Sequence, residues 1–137
     1  MSSPLLGLDI GLKRTGVALS PNGQDVQPLE TISWELPHIH GLSSKVGELI
    51  RNHEVATLVI GVPLSQDGSE TSQSQRSSRI TFRLIQELQS HFPNLSIVRV
   101  NEFASTQDGR AAYPHLDRDA AAACSILTSY LETTSHE

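Results

Sequence analysis

Short continuous apolar runs alternate along the chain with apolar residues at helical spacing. Leu5 to Ile10 is a short apolar run carrying one acid, Asp9, and a turn through Gly11, Lys13 and Arg14 follows it. Thr15 to Leu19 is a second β-prone run, so the opening predicts a strand–turn–strand hairpin. Pro21-Asn22-Gly23 breaks the pattern, and Val26 to Trp34 predicts a third, weaker strand. Leu42, Val46, Leu49 and Ile50 then fall on helical spacing, giving a helix that ends near His53. Val55 to Val62 is continuously apolar and β-branched, the pattern of a strand buried on both faces. After a polar loop from Pro63 to Thr71, a long helix runs to about His91 with Ile80, Leu84 and Leu88 on its apolar side. Pro93-Asn94 stops that helix, and Leu95 to Val100 predicts a fifth strand. The pattern over 103–118 assigns no element. From Asp119, the positions of Ala120, Cys124, Leu127 and Leu131 mark a terminal helix, and 132–137 reads as a frayed tail. This order predicts an α/β domain spanning residues 1–137: a five-stranded mixed sheet with an antiparallel opening hairpin and helices on both faces.

Composition narrows the class. The chain has 137 residues, 37% of them hydrophobic and 18% charged, which excludes a fully disordered chain. A net charge of −5 argues against a uniformly basic coat for nucleic acid, though not against a local basic patch. Aromatic residues are only 4%, which weakens any platform of stacked rings for single strands. The lone cysteine, Cys124, can form neither an internal disulfide nor a cysteine zinc site, and it lies in an alanine-rich segment. Met1-Ser2-Ser3-Pro4 lacks the positive start of a secretory signal, and no apolar run is long enough to span a bilayer. A cytoplasmic location away from membranes is the expectation.

Asp9 is the strongest anomaly. A carboxylate inside LLGLDIG is costly to bury without a partner. Either Lys13 or Arg14 pairs with it across the hairpin, or it is a metal ligand or catalytic acid on a central strand. Glu102 follows Val98 and Val100 at two-residue steps, so an extended chain aims it at one face with them; alone it reads as a solvated acid at a strand end. Asp119 opens the terminal helix, where an acid caps the helix or complements its dipole and can also serve a metal. Together the three carboxylates form a hard oxygen donor set suited to Mg²⁺ or Mn²⁺, and two such ions roughly 4 Å apart would serve phosphodiester hydrolysis. Spacing alone does not show that they meet. Arg76, Arg79 and Arg83 make one basic stripe on the second helix, either an ordinary solvated face or a phosphate rail. His38, His40 and His115 are weak as metal or proton-transfer residues, and Ser20 and Ser125 show no triad order.

Read together, the motifs resemble one family. Leu6-Gly7-Leu8-Asp9-Ile10-Gly11-Leu12-Lys13-Arg14-Thr15-Gly16 resembles the opening of the YqgF family, also called RuvX, Holliday-junction-resolvase-like proteins also described as pre-16S rRNA nucleases. Val59-Ile60-Gly61-Val62-Pro63-Leu64 with Asp67-Gly68-Ser69-Glu70 is similar to its second signature, and Asp119-Ala120-Ala121-Ala122-Ala123 to its closing helix. The resemblance covers nearly the whole chain and implies an RNase H-like fold. It also implies a divalent-metal-dependent nuclease acting on structured RNA or branched DNA. Asp9, Glu102 and Asp119 would hold Mg²⁺ or Mn²⁺, Lys13 or Arg14 would orient phosphate, and the protein would be a monomer or a homodimer. The family's Asp-Glu-Arg signature reads Asn101-Glu102-Phe103 here, and the stretch from Thr106 to Asp119 is short. Those departures keep open a second reading, a nucleic-acid- or partner-binding module of the same fold that has lost cleavage. Actin-like ATPases and sugar kinases share a similar hairpin but need a far longer chain. A small partner-binding protein with Asp9 merely salt-bridged is the remaining class.

Overall fold

The computed structural model describes residues 3–11, 13–35, 38–62, 72–101 and 118–134, with the backbone alone at 62, 72–77, 101, 118 and 134. The elements in order are β1 (Leu5–Ile10), β2 (Arg14–Ser20), β3 (Gln27–Ser33), α1 (Ile39–Asn52), β4 (Thr57–Val62), α2 (Ser72–His91), β5 (Ser96–Asn101) and α3 (Arg118–Thr134). The five strands form one sheet in the order β3-β2-β1-β4-β5. β1 pairs antiparallel with β2 and parallel with β4, so the opening strand lies at the centre of a mixed sheet. β2 pairs antiparallel with β3, and β4 parallel with β5. Val26 and Trp34, read as part of the third strand, flank it. α3 continues to Thr134, and 135–137 lie outside the described residues.

Alternation along the strands sorts their side chains onto two faces. Leu6, Leu8, Ile10, Val17, Leu19, Leu58 and Ile60 point to one face, where Ile39, Leu42, Val46, Ile80, Leu84 and Leu88 of α1 and α2 complete the larger core. Leu5, Ala18 and Val59 point to the other face and meet Ala123, Cys124, Ile126 and Leu127 of α3. The two helices on the first face are also tied directly, with His40 Nδ1 of α1 2.5 Å from Glu87 Oε1 of α2. α1 stops where Glu54 takes a left-handed backbone conformation, φ 52°, a role more often filled by glycine.

α3 is able to lie close because the sheet beneath it is nearly bare. A Cβ on Gly7 would sit 2.6 Å from Leu127 Cγ, and a Cβ on Gly16 would collide with the backbone carbonyl of Asp119. Ala120 to Ala123 continue the same economy on the helix side, all four buried. Two small surfaces let the backbones approach and put the helix's first turn against β2.

Two outcomes test this packing. Gly16→Ala is expected to destabilise the fold by about 3 kcal/mol or more, because a backbone carbonyl cannot swing aside as a side chain can. Gly41→Ala, at a helical position with open space around it, is expected to stabilise by up to about 1 kcal/mol. Urea denaturation midpoints of the two variants should move in opposite directions. Burial also pushes the Cys124 thiol up to about 11. The folded state therefore keeps that proton while the unfolded thiol ionises at its ordinary value. Its contribution to stability is fully present below the ordinary value and is lost as pH rises through about 11. A thiol reagent at mildly alkaline pH should label Cys124 only after denaturant is added.

Candidate functional site

Asp9 is half-buried near the end of β1. Leu5 belongs to the core beneath α3 and Gly7 meets Leu127, so Asp9, two residues further on, belongs to the same face. The register sets its neighbours: Gly16 on β2 and Gly61 on β4, with Thr31 beyond Gly16 and Val100 beyond Gly61. The acid thus stands in a row between two residues without side chains. On the β2 side the space is taken by the backbone of Asp119, which comes into contact with the position a Gly16 Cβ would occupy. This close approach brings the backbone of a residue from near the end of the chain over the central strand pair that carries Asp9.

Asp119 lies in the first turn of α3, where its negative charge complements the positive end of the helix dipole. Its Oδ2 is 3.2 Å from Nε of Arg14, with side-chain exposures of 20% for the acid and 61% for the arginine. Arg14, expected to face either Asp9 or phosphate, thus forms its ion pair with Asp119 while most of its guanidinium stays open to solvent. Lys13 is exposed in the turn just before it. That turn is clamped: Gly11 N donates to Arg14 O at 2.9 Å, Trp34 Nε1 donates to Gly11 O at 3.1 Å, and Trp34 N donates to Lys13 O at 3.0 Å. The role of Trp34 was missed in the sequence, where the chain's one tryptophan just past a weak strand was the available signal.

Glu102 lies outside the described residues. The strand before it carries Val98 opposite Val59 and Val100 opposite Gly61, both on the Asp9 face. Among the described residues, no three His, Cys, Asp or Glu side chains come together as a metal-holding group. Arg79 and Arg83 are exposed on α2, across the sheet from Asp9 and Asp119, and the side chain of Arg76 is outside the description. His40 is engaged with Glu87, and His115 lies outside the described residues. Ser20 and Ser125 are buried. Among the described residues no helix is long and apolar enough to cross a membrane.

A mixed sheet in the order β3-β2-β1-β4-β5, with helices on both faces and the terminal helix laid over the opening hairpin, defines an RNase H-like fold. Solved structures agree: RuvC of T. thermophilus in complex with a Holliday junction substrate superposes with a TM-score of 0.69 at 11% identity, covering 97% of this chain and 96% of that one. The yeast mitochondrial Holliday junction resolvase Ydc2 gives 0.64 at 12% identity, covering 98% and 80%. The chain belongs to the RuvX family, described as Holliday junction resolvase, whose model matches residues 3–133. Among named relatives, the "Putative pre-16S rRNA nuclease" of Sulfurihydrogenibium sp. is 34% identical over 97% of this chain and 92% of its own length. The protein of the same name from Bordetella pertussis is 32% identical over 96% and 95%.

An exposed ion pair adds little stability, because water screens it and both side chains lose freedom in making it. Arg14→Ala is expected to lower stability by no more than about 1 kcal/mol, a cost that added salt should shrink. Thermal unfolding at low and high ionic strength checks both statements.

Proposed function

We propose that this protein is a divalent-metal-dependent nuclease that hydrolyses phosphodiester bonds in structured nucleic acid, with Asp9, Glu102 and Asp119 as the acids that hold the metal. The observation that supports the reading is the approach of the Asp119 backbone to Gly16, the strand partner of Asp9, which brings the start of the terminal helix over the strand pair that carries Asp9. Their donor chemistry fits: carboxylate oxygens are hard ligands that suit Mg²⁺ or Mn²⁺. Glu102 is the next residue in the alternation of Val98 and Val100 and supplies the third acid in this proposal. Asp9, Glu102 and Asp119 would hold one or two such ions, which would supply water activation and charge neutralisation at the leaving oxygen.

The chain's own residues do the rest. Asp9 is fixed by the central strand, so its carboxylate has little freedom to follow a badly placed phosphate, and Gly61 puts no side chain in the way of one. Asp119 is held by the first turn of α3 and balanced by Arg14. The largely exposed guanidinium of Arg14, with Lys13 beside it, is placed to take phosphate oxygens from the solvent side. The names of relatives point to precursor ribosomal RNA as substrate, and the fold neighbours to four-way DNA junctions.

Asp9→Asn keeps the shape of the side chain and removes its charge. It is expected to lower Mg²⁺- or Mn²⁺-dependent cleavage by at least about a hundredfold, with folding unchanged. Wild type and variant should be compared on single-stranded RNA, structured precursor-like RNA and a four-way DNA junction, each with metal or with EDTA. Cleavage that survives in the variant, or metal-independent cleavage, would remove the acids from the mechanism. Binding without any cleavage would favour a binding module of the same fold.

A further inference from the structure

Phe82 stands out from the surface of α2. It is the one exposed large hydrophobic among the described residues, 54% accessible, on a helix whose other large apolar side chains go into the core. Among the described side chains of that helix, exposed Arg79, Phe82, Arg83, Gln86, Gln89 and Ser90 fall on one side by helical spacing, with His91 exposed at the helix end outside that strip. Two arginines therefore flank an aromatic ring one helical turn apart, followed by two amides, and no acid shares the strip. The nearest acid on the helix, Glu87, is turned to α1 and engaged by His40. On a chain of net charge −5 this is a local reversal of sign.

We infer that this face of α2 docks an unpaired stretch of polynucleotide, with Phe82 stacking on a base and Arg79 and Arg83 holding the flanking phosphates. The inference rests on the nuclease reading and adds to it a substrate feature: an unpaired segment beyond the cleavage edge. A π-face is useful to a nucleic acid only where a base has left its stack, so the ring selects single-stranded segments, loops or junction openings over continuous duplex. The guanidiniums contribute a charge attraction that any phosphate chain satisfies. A second copy of this chain fits less well, because two-fold pairing along α2 would bring the Arg79 and Arg83 of both copies together, a like-charge contact. Arg79 and Phe82 lie roughly 10 and 15 Å along the helix from Ser72, on the layer opposite the acids. A bound strand would thus pass over the sheet edge between them.

The test uses the full chain in EDTA, which suppresses cleavage and leaves this face untouched. Fluorescence anisotropy would follow short labelled single-stranded RNA, single-stranded DNA of the same sequence, and the blunt DNA duplex. Phe82→Ala is expected to weaken single-strand binding about tenfold and leave duplex binding unchanged, while Phe82→Trp restores it. Arg79→Ala with Arg83→Ala should weaken all three probes and reduce the salt slope for single strands by about 1.4. The RNA and DNA arms show which polymer is held. Equal single-strand affinity for wild type and Phe82→Ala overturns the inference, and if Asp9→Asn still abolishes cleavage the nuclease reading stands without it. Sedimentation that shows a dimer dissolved by Phe82→Ala, with single-strand affinity unchanged, assigns the ring to self-association instead. Failure of the wild type to bind any probe removes the docking surface, and cleavage of the same probes with metal present then decides separately whether the nuclease reading survives.

Discussion

The contact between the first turn of α3 and Gly16 of the opening hairpin governs the arrangement of everything described above. A helix normally stands off a sheet by the thickness of two layers of side chains. Here glycine on the strand and alanine on the helix remove much of both layers, and the Asp119 carbonyl enters the space of a missing Cβ. Because Gly16 is the register partner of Asp9, any change in that approach also changes the distance between the two acids. Packing and the placement of the two candidate acids thus depend on the same pair of backbones.

That coupling explains the composition of α3. A helix chosen only for burial would carry large side chains on its apolar stripe, as α2 does with Ile80, Leu84 and Leu88. α3 instead runs Ala120 to Ala123 before its larger residues, Ile126 and Leu127, appear about two turns from the start of the helix. The helix is close to the sheet at its acidic end, with the larger side chains placed beyond it. Alanine also has the highest helix propensity, so the first turns do not need bulky contacts to stay helical.

The electrostatic arrangement follows from the layers. Asp9 and Asp119 belong to the α3 side of the sheet, with Arg14 as the counter-charge of Asp119. The basic strip lies on α2, on the other face, and is separated from the carboxylates by the sheet itself. A polyanion meeting both must approach across the edge rather than along either face. The low content of aromatic residues makes the single exposed ring on that strip more conspicuous, since apolar surface elsewhere on the helix is buried.

Much of the fold was legible in the residues because the signals were local. The continuous runs at Leu5–Ile10 and 57–62, the four-residue steps of Ile80, Leu84 and Leu88, and the stop at Pro93-Asn94 each fix an element through nearest-neighbour stereochemistry, and the acid inside LLGLDIG marked a candidate site. What those signals could not contain was register. That Arg14 would meet Asp119 depended on which helix lay over the hairpin. Strand pairing put Gly16 and Gly61 on either side of Asp9, while Glu102 lies outside the described residues and joins the acids only by analogy. Likewise the arginine stripe on the second helix was visible, but which of its neighbours shared the solvent side awaited the packing of α1 against it. Residue type and periodicity determined the elements and the candidate chemistry. The tertiary structure alone decided who stands beside whom, because contacts between distant segments depend on backbone approach, and that approach is set by side chains that are absent.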